Sequence, residues 1–457
     1  MKPKPRILNI NAGLTTNGIR IKIQKKHYDI AYPSEVWRSV PPSVKNALLE
    51  NLTYATTQVV PLALKQTGVK YNTNPPLLEN LLYKNQVQDL INCATGDNKP
   101  HLSYLCQFYN LDTKYQLSGR STIPDAREIK TVKNKKPVAI VPFTFGKESL
   151  TTVALCREVG IEPILVYCQE PSQPYEQAYK LEKLKEFSKE FGLKYYFLQN
   201  DTGLFRYGKA FGIARTELGW GTQTTVLAMM MVPFALKHGA KYILFGSEYA
   251  NNEYEWNNGW KEWLSCDQTP DNTNNQNNIV RLLTGNQCGV RSSFQPLDEI
   301  NIFYILHHRY PEFGRYQFSC SAEHPLPEGS QWCHKCYKCA RMFLFASCCE
   351  VDPEKIGYQK NLLRSANMFD HYFGEKFATG STHELDFSFY ILHKKKYESL
   401  YSKIFAEHKL KQLHSWEDYV KHFTTIKDNE TLPEEFREKL LSIYRAELTN
   451  FKKMLPK

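Results

Sequence analysis

Apolar and polar positions alternate in three ways along the chain, and each pattern predicts a different kind of region. Near the amino terminus, isoleucines at every second position from Ile19 to Ile23 predict a half-buried strand, and helical spacing follows it. The predicted elements are strands at 19–23 and 25–32 and helices at 41–59 and 77–93. Residues 1–125 are therefore expected to form a separate N-terminal α+β domain, followed by a polar, basic linker at 126–136.

From residue 137 onward, short apolar runs are separated by helical segments. This alternation predicts right-handed β-α-β units and a parallel sheet with helices on both faces. The predicted strands are 138–143, 163–168, 195–199 and 241–245, and the predicted helices are 150–159, 175–191 and 222–237. Residues 137–347 are expected to be an α/β domain that binds its ligand beyond the carboxyl ends of the strands, where the strand order reverses. The asparagine-rich stretch at 271–278 is expected to be a mobile insertion.

After Ser347 the chain is charged and helical. Apolar residues recur at helical spacing over 397–410, 416–423 and 433–453, which predicts a helical C-terminal subdomain over 348–457. Two roles stay open for it, covering the active site and mediating a homodimer.

The composition indicates a globular protein of two or three domains, with 457 residues of which 42% are hydrophobic. No apolar run approaches the roughly 20 residues of a membrane span, and the first five residues lack the apolar core of a signal peptide. We therefore expect a cytoplasmic protein with no membrane partner. The net charge of +11 includes lysine clusters at 130–136 and 394–396, which favour solvated surface or linker over nucleic-acid binding.

The segment from Val138 to Gly160 is a buried strand that breaks into a polar loop and opens a helix. A helix start presents unpaired backbone N–H groups and the positive end of the helix dipole, so such a loop can hold phosphate. The loop residues that suit this role are Thr144, Gly146, Lys147 and Ser149. An ordinary strand-turn-helix connection is the alternative, and the Walker spacing is excluded because no glycine lies five residues before Gly146.

Two more segments are expected at the same edge of the sheet. Glu248 and Glu253 lie in a polar loop after the strand at 241–245, and a solvated surface loop is the alternative interpretation. The other segment is the helix start at Thr222, which is a candidate N-cap preceded by glycines that would let backbone approach a ligand.

Four cysteines give the strongest single signal. Cys333, Cys336 and Cys339 form two overlapping C-x-x-C steps, and Cys320 lies upstream. Four thiolates suit a tetrahedral zinc ion, and a closed set of sulfurs indicates a structural metal rather than an activated water. A redox dithiol, a disulfide and an iron–sulfur cluster are the alternatives, of which the disulfide is disfavoured in the cytoplasm.

The segment Thr-Phe-Gly-Lys-Glu-Ser at 144–149 resembles the Ser-Gly-Gly-x-Asp-Ser signature of the PP-loop ATP pyrophosphatases, from which Thr144, Phe145 and Glu148 depart. With the cysteines that follow, the layout is similar to the QueC-like (ExsB) branch, which includes 7-cyano-7-deazaguanine synthase. The added N-terminal region and the Ser247–Glu253 segment look more like the ATP-dependent epimerases of the UDP-muramoyl-alanyl-glutamate peptide. The resemblance covers about residues 137–347.

This resemblance implies a HUP-type parallel sheet and an enzyme that transfers AMP from ATP to a substrate carboxylate, with release of pyrophosphate. The substrate would be a small carboxylic acid or a nucleotide-linked compound, and a carboxylate beside the triphosphate implies Mg²⁺. The implied catalytic residues are Lys147, Glu148, Ser149, Glu248 and Glu253. The implied nucleotide-binding residues are Thr144, Phe145, Gly146, Lys147, Ser149, Gly221, Thr222, Gln223, Gly246 and Ser247. No general base is evident among Glu248, Glu253 and His308.

A second hypothesis follows from the departures at Phe145 and Glu148. The chain could be a catalytically inactive PP-loop protein that binds nucleotide, nucleic acid or a protein partner through the same scaffold.

Overall fold

The structure is a computed structural model that describes residues 6–117, 119–171, 174–322, 324–374, 382–427 and 430–457. The first five residues, on which the expected lack of a signal peptide rests, lie outside this range. Among the helices of the described ranges, none is both long and apolar enough to cross a membrane.

The elements change along the chain from mixed, through alternating, to all helical. The first region contains β1 (Ile7–Thr15), β2 (Gly18–Ile23), β3 (Lys26–Ala31), α1 (Ser34–Arg38), α2 (Pro42–Thr57), α3 (Val60–Ala63), β4 (Gly68–Tyr71), α4 (Glu79–Gly96), α5 (Leu102–Tyr109) and β5 (Asp112–Tyr115). The central region contains β6 (Val138–Pro142), α6 (Lys147–Val159), β7 (Glu162–Gln169), α7 (Pro174–Phe191), β8 (Lys194–Asn200), α8 (Gln223–His238), β9 (Tyr242–Glu248), β10 (Tyr254–Asn257), β11 (Trp260–Trp263), α9 (Pro270–Leu283), β12 (Gly289–Phe294), α10 (Glu299–His308) and α11 (Pro311–Gly314). The last region contains α12 (Tyr337–Cys348), α13 (Phe369–Phe373), α14 (Thr382–Lys394), α15 (Leu400–His408), α16 (Trp416–Phe423) and α17 (Arg437–Met454).

Ten strands of the described chain form one mixed sheet in the order β12-β9-β6-β7-β8-β3-β2-β1-β4-β5. The five central strands are parallel. Counted along the chain from β6, their order is 3-2-1-4-5, so the order reverses between β6 and β9. The α/β class with a largely parallel sheet is therefore confirmed, and the carboxyl ends of β6 and β9 lie side by side at the reversal point.

Alternate residues of β6 face opposite sides of the sheet, as a strand requires. Ala139 and Val141 pack into an apolar core that continues into α6, α10, α12 and the C-terminal helices. Val138 and Ile140 pack into a second core that contains α8, α9 and α2. The predicted coverage of both faces by helices follows from this division.

The expected separate N-terminal domain shares its sheet with the central region. β3 pairs antiparallel with β8 through Ile30 with Asn200 and Ala31 with Gln199, so the sheet continues across the two regions. The first region also contributes α2 to the core around α8. The division at residues 126–136 stays a prediction about domains, but it is not a break in the sheet.

The asparagine-rich stretch is not a mobile insertion, so that prediction was wrong. It lies inside α9, where Thr269 caps the helix by accepting the Asn272 N–H at 3.3 Å. The buried Gln276 amide donates to the Asp267 carbonyl at 2.8 Å, and the Asn277 side-chain oxygen accepts the Val290 N–H at 3.1 Å. Amides that recur on one buried helix face find internal partners there, so their polarity does not imply disorder.

Candidate functional site

A cavity of about 470 Å³ opens at the carboxyl ends of β6, β7 and β9. Its wall includes Thr144, Gly146, Lys147 and Glu148 after β6, Tyr167 and Glu170 at the end of β7, Gly246, Glu248 and Asn251 around the end of β9, and Glu299, Lys338 and Arg341 from α10 and α12. This size lies within the range of small-molecule sites in proteins. The loops after β6 and β9, which the sequence predicts as walls of one site, therefore meet here.

Phe145 shapes the loop after β6 from the core side. Its backbone has a φ of +60°, and its fully buried ring packs edge-on against Phe143 and Phe187. The Phe145 carbonyl accepts the Phe318 N–H at 2.8 Å. Since the ring lies in the core and does not line the cavity, it does not stand between the loop and a ligand.

The start of α6 faces the cavity. Gly146 is its N-cap and gives no side-chain cap, so the first-turn N–H groups have no helical acceptors of their own. The Ser149 hydroxyl accepts the Thr144 N–H at 3.3 Å and donates to the Gly146 carbonyl at 3.1 Å. Ser149 thus joins two positions of the loop by hydrogen bonds, while Thr144 and Gly146 line the cavity.

Lys147, the first residue of α6, is held among three carboxylates. Only 3% of its side chain is exposed. Its ammonium pairs with Glu148, lies 2.7 Å from Glu299 and lies 3.6 Å from Glu248. Burial alone would lower the pKa of Lys147, but the three carboxylates outweigh it and raise the pKa above the usual value.

Arg341 extends this charge cluster toward the C-terminal helices. Its guanidinium pairs with Glu299 and lies 2.6 Å from Glu384 of α14. Glu384 also accepts the Ile300 N–H at 3.0 Å, at the start of α10. Burial raises the pKa of Glu384 to about 7, whereas the cations Arg341 and Lys147 overcome burial and lower the pKa of Glu299 to about 2.

Glu248 is the least satisfied member of the cluster. Its Oε2 is buried and, within the described ranges, has no hydrogen-bond partner. Burial raises the pKa of Glu248 well above the usual value. One oxygen from each of Glu148, Glu248 and Glu299 lies within 4.8 Å of the others. Oxygens on opposite sides of a six-coordinate Mg²⁺ ion are about 4.2 Å apart, so three carboxylates at this spacing can share one cation.

The start of α8 is closed by the protein's own carboxylates. The buried Asp89 of α4 accepts the N–H groups of Gly219 at 2.9 Å and Gly221 at 2.7 Å. Asp267 accepts the Thr224 N–H at 2.8 Å. Two anions therefore already occupy this helix start, which leaves no donor of Gly221 for a ligand.

Neither Gly221 nor Thr222 is among the residues that line the cavity, so the nucleotide-binding roles predicted for them gain no support. Thr222 is the N-cap residue of α8, as predicted, but its hydroxyl donates to the Gly219 carbonyl at 3.2 Å and makes no N-cap hydrogen bond. A Cβ at residue 221 would lie 2.8 Å from the Asp89 carboxylate, so glycine here admits Asp89 and not a ligand. Gln223 does line the cavity, as does Trp220.

The segment around the end of β9 supplies fewer site residues than the sequence suggests. Gly246 lines the cavity, and a Cβ on it would lie 2.4 Å from the Glu148 Cβ, so glycine lets Glu148 approach. The buried Ser247 instead accepts the Ser292 hydroxyl at its carbonyl, at 2.7 Å. Glu253 lies outside both the three-carboxylate group and the cavity wall.

Sequence reasoning missed three charged residues of the site. Glu299 opens a mostly apolar helix, Arg341 lies inside the apolar run after Cys339, and Glu384 is distant in the chain. A charged residue at a helix start or within an apolar run was the available clue, because buried charges need partners.

The four cysteines converge as predicted. Their sulfurs lie within 4.8 Å of one another, with Cys320 and Cys336 at 3.8 Å, Cys333 and Cys339 at 3.8 Å, and Cys336 and Cys339 at 3.4 Å. Sulfurs at 2.3 Å from a tetrahedral zinc ion would be about 3.8 Å apart, so the donor set fits one ion. These separations are too long for disulfide bonds.

Backbone donors support the same interpretation. The Cys320 sulfur accepts the Ala322 N–H at 3.3 Å, and the Cys336 sulfur accepts the Cys339 N–H at 3.5 Å. Cys336 is also the N-cap of α12, whose first two turns place Lys338 and Arg341 in the cavity wall. The cluster is therefore compatible with a structural zinc ion that fixes one wall of the cavity.

No family model matches this chain, and a search of curated proteins finds no similar sequence.

Proposed function

We propose that this protein is an ATP-dependent enzyme of the PP-loop type, which adenylates a substrate carboxylate and releases pyrophosphate. One observation carries the proposal. The helix start of α6 faces the cavity at the strand-order reversal, whereas that of α8 is filled by Asp89 and Asp267. A 3-2-1-4-5 parallel sheet with a phosphate loop after its first strand is what a HUP-type domain requires.

Different residues of the site would bind the phosphates and the metal ion of MgATP. The first-turn N–H groups of α6, with Thr144 and Gly146, would hold the phosphates at the positive end of the helix dipole. Glu148 and Glu248 would hold Mg²⁺, which neutralises phosphate charge. A carboxylate oxygen of the substrate then attacks the α-phosphorus, and the bond from that phosphorus to the bridging oxygen breaks as pyrophosphate leaves. The protein contributes positioning and charge neutralisation.

The resemblance assigns the substrate to one of two chemical classes. It is a small carboxylic acid if the chain is a ligase of the QueC-like branch, or a nucleotide-linked peptide acid if it is a muramoyl-peptide glutamate epimerase. Both reactions share the adenylation step, which is the step proposed here.

A nucleotide-binding protein without catalysis is the second candidate. The observation that favours it is the position of Lys147, whose ammonium is paired with Glu148 and Glu299. In such a protein the loop would bind ATP, and pyrophosphate would never be released. Nucleic acid or a protein partner would then take the place of a small substrate.

Exchange of labelled pyrophosphate into ATP, measured with MgATP and a panel of carboxylic acids, distinguishes the two candidates. Adenylation predicts acid-dependent exchange that Lys147→Ala reduces by roughly two orders of magnitude, as expected for loss of one positioned charge. Lys183→Ala is the matched control, because Lys183 pairs with Glu186 on the surface of α7. Binding of a fluorescent ATP analogue without exchange for any acid would favour the second candidate. If Lys147→Ala keeps both ATP binding and pyrophosphate exchange, the site assignment is overturned.

A further inference from the structure

Lys147 occupies a cage of carboxylates that exceeds its own charge. The cage consists of Glu148, Glu248 and Glu299, and the neighbouring Arg341 and Glu384 complete the cluster. Within the described chain this cluster holds four carboxylates against two cations. The Glu148 side chain is 33% exposed, but Glu248, Glu299 and Glu384 alone outnumber the two cations, and such an excess away from water is costly unless a further cation or proton compensates it.

The three carboxylates of the cage come from separate elements of the fold. Glu148 lies on α6, Glu248 at the end of β9 and Glu299 in the first turn of α10, so three rigid elements aim their carboxylates at one point. The buried Oε2 of Glu248 has no hydrogen-bond partner in the described ranges, although the Lys147 ammonium lies 3.6 Å away. A monovalent ammonium therefore leaves one oxygen of the cage unsatisfied.

A divalent cation and the lysine ammonium cannot share this space. Two positive charges about 4 Å apart repel strongly in a buried site. Lys147 is the first residue of α6 and lines the open cavity, so its long, flexible side chain has somewhere to go.

We propose that the Glu148–Glu248–Glu299 cage is a divalent-cation site that the Lys147 ammonium occupies until a cation displaces it. The released ammonium then faces the cavity beside the phosphate loop. Cation entry thereby converts Lys147 from an internal counter-ion into a free positive charge for an anionic ligand. This inference rests on the Mg²⁺ site of the proposed function and adds Glu299 and the exchange with Lys147, although the exchange itself needs no nucleotide.

The exchange is tested with Mn²⁺ alone, on zinc-loaded protein without nucleotide. Electron paramagnetic resonance of free Mn²⁺ gives the affinity. Lys147→Met removes the competing ammonium at similar volume and should tighten Mn²⁺ binding roughly tenfold or more. Adding Glu299→Gln to this variant should reverse the gain. Lys180→Met is the matched control, because Lys180 is an equally buried lysine of the same cavity outside the cage.

A second measurement uses the unsubstituted chain, in case the variants fail to fold. Acylation of lysines by a succinimidyl ester, read by mass spectrometry, should be slow at Lys147 and should rise roughly tenfold when Mn²⁺ displaces the ammonium. Lys180 should be unaffected. Unchanged Mn²⁺ affinity in Lys147→Met, or unchanged labelling of Lys147 with saturating Mn²⁺, overturns the exchange. Mn²⁺ exchange without pyrophosphate chemistry would leave this site standing and overturn only the proposed function.

Discussion

At the scale of single residues, burial decides what a side chain does. Phe145 departs from the resembled loop signature, yet its ring lies wholly in the core and leaves the cavity open. Asp89 and Asp267 are buried carboxylates that accept backbone N–H groups at the start of α8. The residue type alone could not separate these internal anions from Glu148 and Glu248, which face the cavity, because all four are acidic residues in polar surroundings.

The buried Asp267 should make stability depend on pH. Burial raises its pKa from the usual value of 3.8 to about 6. The folded state therefore binds this proton more tightly than the unfolded chain does. The resulting stabilisation is complete below about pH 3.8 and is lost as the pH rises through about 6. Relative to Asp267→Asn, the free energy of unfolding of the unsubstituted chain should fall by roughly 2 kcal/mol between about pH 4 and pH 7.

Urea unfolding of both chains at the two pH values measures this difference. Asp271→Asn is the control, since Asp271 is exposed in the first turn of α9. Parallel pH dependence in the unsubstituted chain and in Asp267→Asn would contradict the expectation.

At the scale of elements, the success of a prediction depended on whether residues close together in the sequence specify the feature. The strands of the central sheet and the cysteine spacing are local patterns, and the structure confirms them. The buried face of α9 was mistaken for a mobile insertion because asparagine-rich composition outweighed the helical spacing of its buried residues. Ion pairs between elements, such as Arg341 with Glu384, join positions that no local pattern relates.

Zinc ligation should determine the position of α12. Cys336 both belongs to the four-sulfur cluster and caps this helix, which carries Lys338 and Arg341 into the cavity wall. Cys336→Ser should therefore lose the zinc ion, lower the Tm by several degrees and weaken binding of anions in the cavity. Elemental analysis, thermal unfolding and titration with pyrophosphate measure the three effects.

The exposed Cys106 supplies the control for this change. Cys106→Ser should keep one zinc ion per chain and an unchanged Tm. Full zinc content in Cys336→Ser would show that the remaining three cysteines with another ligand suffice.

At the scale of the whole molecule, the continuous sheet was the feature least visible in the sequence. The pattern change near residue 137 marks a real change from mixed to alternating elements, but pairing between β3 and β8 connects the two parts. Strand pairing over such a distance depends on tertiary packing, since α2 and α8 share one core. The order and type of most central elements could be predicted, while their assembly with the first region could not.

A nick in the linker should therefore leave the molecule assembled. Residues 131–136 are exposed and contain Lys133 and Lys135, after which trypsin can cleave. After limited proteolysis, the two fragments should elute together in gel filtration, because separating them would expose apolar core residues of both. They should separate in urea. Elution as two independent folded species in buffer would instead support autonomous domains.

The hydrogen bonds of Asp89 also bear on the order in which the molecule folds. They join residues 130 and 132 positions apart along the chain. Closing so long a loop is slow relative to forming local helices and hairpins. The wall that carries Trp220 and Gln223 can reach its final conformation only after α4 docks, so ligand-binding competence should appear in refolding later than most helical structure.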